Sequence, residues 1–362
     1  MYAGQVKAGH SHQRKNTWNT GGSFMLSTPK WSTDVLYTYN DYYSPQVLEL
    51  STVHTVGDQV KQIDQYEDTS TNGKQHSLRV AFDYSPTQES SLSMVYSGEF
   101  TPQLYSIAAS KGSFVESLSD RFGDNYLHNA ALRYRAASGL DVGADYTAYK
   151  NRSKGFLKNE YSDDTQTSFD VPSGQKIDRL HAYADMSHAF EQGWQVNYGA
   201  KGAWAADTDY QYYRAAMGDV ETLDTDSRLT EFSTELYGGF SKNWAKGSIS
   251  ASLIGEYYNL AGEERWPLYP QTNFMWMFAL HHIVQANVSS NKTYPSYWML
   301  QEAINYVGGY TEVHGHPYLR PMRDYSTQLI YILKQRYIFN VTNNLFSRTQ
   351  CQLSECSYPR IV

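Results

Sequence analysis

The stretch that decides the fold is LDVGADYTA, residues 140–148. Leu140, Val142, Ala144, Tyr146 and Ala148 are uncharged, while Asp141 and Asp145 fall between them. A period of two, with one apolar and one wet face, is the signature of a β-strand. The same reading holds at Leu78, Val80, Phe82, Tyr84, where Arg79 and Asp83 interleave, and at Leu180, Ala182, Ala184, Met186 around Asp185. It holds again at Trp194, Val196, Tyr198, Ala200, Gly202, Trp204 around Lys201, and at Ile249, Ala251, Leu253, Gly255, Tyr257 around Glu256. No helix-period segment separates these runs.

Composition points to what covers the uncharged face. The chain has 362 residues and a mean hydropathy of −0.59, too polar for a bundle of membrane helices. The most apolar stretch, 274–284, is interrupted by His281 and His282, so a membrane helix is excluded. A transmembrane barrel escapes that test, because only alternate residues meet lipid. Tyrosine is over-represented at 32 residues. Rings such as Tyr84, Tyr96, Trp194, Trp204, Phe232, Phe240 and Tyr257 lie near the ends of the runs, with Ala144, Ala184, Ala200 and Ala251 in their middles. That is the spacing of interfacial aromatic girdles. A Lys or Arg facing lipid at mid-depth costs about 2–4 kcal/mol, and unpaired backbone groups in lipid force a sheet to close.

Short turn-like segments recur about every 50 residues, as two strands of about 10 residues with one turn and one loop require. They fall at 28–30, 85–90, 137–139, 191–193, 242–246, 280–282 and 334–335. Between them lie polar segments expected to be long external loops, at 41–74, 101–124, 151–177, 206–227, 261–271 and 292–322. The expectation is an all-β, antiparallel up-and-down transmembrane barrel with about 15 strands. A soluble sandwich would have strands of about five or six residues; these runs reach nine to eleven.

The segment 269–342 carries a family resemblance. It holds Pro295, Ser296, Tyr297 and then Gly315, Pro317, Tyr318, Leu319, Pro321. These positions resemble the late barrel of TonB-dependent receptors of Bacteroidetes type, in the outer membrane protein β-barrel family, sharply here and loosely elsewhere. His314 and His316 depart from the acid and Asn usual there. The resemblance implies a partial barrel from a set of about 22 strands around a plug, over residues 1–344, with 345–362, including Cys351 and Cys356, an aberrant or divergent tail. It implies outer-membrane lipid, a plug domain and TonB as partners, and a small ligand or glycan at the long loops. Arg79, Arg133, Arg135, Asp141, Asp145, Asp185, Lys201, Glu235 and Glu256 would line the lumen. The alternative is a barrel without energised transport: porin-like, adhesive or structural.

Other constellations argue for less. A net charge of −7 disfavours nucleic acid. His10–His12, His281–His282 and His314–His316 read as polar turn residues, and no metal or cofactor is expected. The acids Asp207, Asp209, Asp219, Glu221, Asp224 and Asp226 lack a calcium-loop frame and read as a solvated external loop. No phosphate loop, nucleophile elbow or metalloprotease motif occurs, so no enzymatic activity is expected.

Overall fold

The structure is a computed structural model and describes residues 1–56, 59–218, 222–306, 312–317 and 319–346. Its frame is an antiparallel sheet in which each long strand pairs with its sequence neighbours. The first eight strands are β1 (Tyr2–His12), β2 (Asn16–Ser27), β3 (Trp31–Val56), β4 (Gln59–Tyr84), β5 (Ser91–Gly112), β6 (Val115–Arg135), β7 (Leu140–Tyr161) and β8 (Gln166–Ala189). There follow β9 (Trp194–Gln211), the short β10 (Arg214–Met217), β11 (Thr225–Trp244), β12 (Gly247–Leu260), the short β13 (Glu263–Arg265), β14 (Leu268–Ala279) and β15 (His282–Thr293). A single helical turn, α1 (Tyr297–Leu300), precedes a two-stranded ribbon of β16 (Ile304–Tyr306) and β17 (Glu312–His314). β18 (Met322–Leu333) and β19 (Tyr337–Phe346) complete the sheet. Among the described residues β1 pairs only with β2 and β19 only with β18, so the sheet is open between them.

The register makes the apolar face continuous. One row of cross-strand partners reads Phe24, Val35, Val80, Tyr96, Ala130, Tyr146, Leu180, Trp204, Phe232. Another reads Leu26, Thr33, Phe82, Met94, Leu132, Ala144, Ala182, Gly202, Thr234, Tyr257. Neither contains a charge. Val80, Phe82, Met94, Leu132, Leu180, Leu236 and Leu253 on this face are 36–67% exposed, with no second layer over them among the described residues. So much contiguous apolar surface is intolerable in water and is what a hydrocarbon solvent demands. Rings pair along its borders: Trp194 with Phe240 at 5.9 Å and Phe232 with Tyr257 at 6.1 Å. Lys242 lies on this face only at its lower rim, where its ammonium reaches over the Trp194 ring at 4.6 Å, as a snorkelling lysine does.

The expected long loops are corrected. β3–β8 contain 21–26 residues each, and β3–β4 pair without a break from Trp31↔Tyr84 to Val56↔Gln59. At about 3.3 Å per residue such strands are about 70–85 Å long, whereas a bilayer needs about ten tilted residues. The spanning part is the portion nearest the short turns, roughly 125–135 in β6, 140–148 in β7 and 194–204 in β9. The segments read as loops at 41–74, 101–124 and 151–177 are therefore mostly paired strand above the membrane. The physical reason is solvent symmetry. With water on both faces, apolar alternation has no cause, but backbone groups still pair. The expected turn 242–246 also shrinks to 245–246, because β11 runs to Trp244.

Candidate functional site

The nine charges expected to line a lumen all project to the face opposite the apolar one, because each occupies the alternate phase of its strand. Most have a polar or ring partner nearby. Arg79 pairs with Asp34, Arg133 with Asp141, and Arg135 with Asp141 at 3.5 Å. Asp145 meets His181 at 3.0 Å, and Lys201 lies over the Tyr237 ring at 5.1 Å. One Asp185 carboxylate oxygen is buried without a partner. Arg79 is remote from the rest. Glu235 and Glu256 alone among the nine are drawn into one hub.

That hub is centred on Glu256, only 2% exposed. Its carboxylate accepts from Tyr269 Oη at 2.9 Å, from Lys292 Nζ at 2.6 Å and from Tyr294 Oη. Lys292 also binds Glu235 and lies over the Tyr269 and Tyr294 rings at 5.3 and 5.4 Å. A buried carboxylate is tolerable only with this number of donors.

Directly above the hub, the connection from β15 to β18 folds onto the wet face of the taller strands. Tyr297 donates its hydroxyl to Glu231 of β11. Leu300 packs with Tyr258 and Leu260 of β12, and Leu229, Tyr294, Tyr297 and Leu319 close round them. At the far end the Ile304 carbonyl accepts from Gln211 at 2.7 Å and from Tyr213. Burial raises the Tyr258, Tyr294 and Tyr297 phenols above their usual range; adjacent Glu231 or Glu256 adds to the effect. These tyrosines therefore act as neutral donors.

The family motif builds this strap. Ser296 is the extended residue before α1, and Tyr297 begins it. Gly315 returns beneath the turn, where the His316 amide donates to Met299 O at 2.7 Å. A Cβ on Gly315 would overlap the Gln301 carbonyl oxygen, so glycine is required by backbone approach. Leu319 then enters the apolar cluster. The two halves of the motif are 18 residues apart in sequence and converge on one turn. Tyr318 lies outside the described residues.

The family model for the outer membrane protein beta-barrel family matches residues 135–355, which include the hub and the strap. The chain belongs to the outer membrane protein beta-barrel family. Its location is therefore the outer membrane, in agreement with the lipid-facing band. No curated protein matches the chain. Among solved structures, it is similar to the toluene transporter TodX of Pseudomonas putida (10% identity, TM-score 0.31, covering 81% of this chain and 82% of that one). It is also similar to the ferric yersiniabactin uptake receptor FyuA of Yersinia pestis (8%, 0.41, 95% and 67%). A third is the translocator domain of the autotransporter NalP of Neisseria meningitidis (11%, 0.26, 73% and 83%). Likeness at this level carries no functional information.

Sequence reasoning missed the remaining members of this site, Glu231, Lys292, Tyr258, Tyr269 and Tyr294, and it misplaced two acids on the wall beyond the hub, Asp207 and Asp209. The expected solvated acidic loop is corrected at those two acids. Asp207 is 0% and Asp209 2% exposed, both on β9. Asp224 and Asp226 are surface residues: Asp224 pairs with Arg214 at 2.8 Å, and Asp226 accepts from Tyr212 Oη at 3.2 Å. Asp219 and Glu221 lie outside the described residues. A signal for the buried pair was present. Asp207 and Asp209 continue the phase of Lys201, Ala203 and Ala205 on β9, and so belong to a wall. The histidines take structural roles: His10 and His12 contact Asn16 Oδ1 at 3.2 and 2.8 Å, and His282 Nδ1 meets Tyr331 Oη at 2.6 Å.

Proposed function

We propose that this outer membrane β-barrel is the barrel portion of a TonB-dependent receptor, which captures a scarce small ligand or glycan at its outer face and, joined to a plug, admits it by energised uptake. The observation that carries the reading is the strap. The two halves of the motif hold the strap on the wet face, directly above a buried hub of tyrosines and carboxylates. The lipid face is left unmodified. A segment folded onto the inner wall narrows the lumen, which suits a gated importer more than a freely open pore. In this reading the nine charges line the lumen and meet plug or ligand. The alternative is a barrel without energised transport, porin-like or adhesive.

Electrical recording separates the two. The gene product is purified from native outer membranes and inserted in planar bilayers. The receptor reading expects no steady conductance until a denaturant or a TonB fragment perturbs the protein. A constant open conductance at rest would overturn it in favour of a pore.

A further inference from the structure

Asp207 and Asp209 have no place in the hub described above, and their burial demands an explanation. They are adjacent inward-facing residues of β9, above the membrane-spanning part of that strand. Both oxygens of Asp207 and Oδ1 of Asp209 are buried without a well-formed hydrogen bond; only looser approaches by Gln175, by Gln301 and between the two carboxyl groups reach them. Asp209 Oδ2 accepts from Ser227 Oγ of β11 at 2.6 Å. No Lys or Arg among the described residues lies within ion-pairing distance of either carboxylate. Arg179, on the adjacent strand, bears instead on Tyr297. The other charged or titratable neighbours are Asp226 beside Asp209, and Tyr297 with its partner Glu231. None supplies a positive charge. An unpaired buried carboxylate is among the costliest groups a fold can hold, and three orphaned oxygens converging from two residues require a proton or a cation.

The surroundings favour a cation. The Gln175 side chain of β8 lies at Asp207, and that of Gln301, on the strap, lies at Asp209. Two carboxylates and one hydroxyl supply oxygen, and a half-turn of each amide, whose N–H groups face the carboxylates in this structure, supplies two more, so the shell needs no nitrogen or sulfur ligand. That is the chemistry of a hard cation with flexible coordination. We propose that Asp207 and Asp209, with Gln175, Ser227 and Gln301, form a Ca²⁺-binding site that staples the strap to the barrel wall. Four of the five ligands come from the wall strands and one from the strap, so binding and strap docking are coupled. The inference is independent of what the barrel transports.

The full protein, folded in detergent and stripped with chelator, is titrated with CaCl₂ at neutral pH by calorimetry, with Tb³⁺ luminescence as a second probe. One saturable site is expected, with affinity falling on acidification as protons compete. Ca²⁺ is expected to raise the thermal midpoint and slow hydrogen exchange over 297–304. Asp207→Asn/Asp209→Asn should abolish binding. Gln301→Ala changes only the strap ligand, so it keeps the test valid if the double variant fails to fold, and it should weaken binding about tenfold or more. No saturable binding in the wild type would overturn the site in favour of a shared proton. Unchanged binding in Gln301→Ala, or in a folded double variant, would overturn it by placing the ion elsewhere.

Discussion

The lower and upper halves of the same strands obey different rules. In β7, residues 140–148 alternate because hydrocarbon covers one face and water the other. Above them the strand continues to Tyr161 through Lys150, Arg152 and Lys154, which face the same side as Leu140 and Tyr146. Backbone pairing persists across the boundary while side-chain patterning stops. Alternation therefore reports the solvent, and the ladder reports only that the backbone must be paired. Where the inner face of the upper wall is covered again, by the strap, a second small core appears, built from leucines and tyrosines beside buried acids.

The largest effect follows from placing one charge on either side of that boundary. Ala144→Arg puts a guanidinium on the lipid face within the band and is expected to destabilise the folded barrel by about 2–4 kcal/mol. Phe122→Arg, on the same face of β6 but above the band, is expected to cost well under about 1 kcal/mol. Urea unfolding in lipid vesicles measures both. Equal losses would erase the distinction between the two halves.

Next in size is Gly315→Ala, whose Cβ meets the Gln301 backbone. The strap is expected to undock, by about 1–3 kcal/mol, with proteolysis gained near 297–304 and barrel unfolding unchanged. Barrel unfolding that falls with the strap would show that the upper core supports the lower band. Tyr297→Phe should loosen the same segment by about 1–3 kcal/mol, because Glu231 loses its buried donor.

Proton linkage acts on the buried acids of the upper wall. Burial, then the Asp209 charge, pushes Asp207 up to about 7, and burial also raises Asp209. The neutral acids are thus favoured by folding. With chelator present, that stability is complete below about pH 4 and is lost as pH rises through about 7. Hydrogen exchange over 297–304 should accelerate across this window in the wild type and stay flat in Asp207→Asn/Asp209→Asn. The smallest effect is expected from Arg79→Ala. Its ion pair with Asp34 is 46% and 36% exposed, so at most about 1 kcal/mol is lost.

The contrast also explains what could be read in advance. Leu140 to Ala148 and Trp194 to Trp204 declared their strands because lipid imposes a strict period of two. The register that aligns Phe82, Met94 and Leu132 followed from the same phase. Residues 41–74 gave no such signal, since a strand wetted on both faces accepts Asp41, Gln46 and Thr71 alike. The motif at Pro295 and Gly315 marked where the site lies but not its partners. Glu231, Glu256 and Asp207 come from strands 39–88 residues earlier in sequence, and only the fold brings them under the strap.

The membrane assignment is tested most directly by spin labels at single cysteines introduced from Leu132 to Arg135 and from Leu140 to Ala148, with Cys351 and Cys356 replaced by Ser. In lipid vesicles, collision with dissolved oxygen should peak at Leu132, Leu140, Val142, Ala144 and Tyr146. Collision with a water-soluble nickel complex should peak at Arg133, Asp141 and Asp145. Equal access of both reagents at neighbouring positions, or nickel access throughout, would contradict a hydrocarbon-covered face.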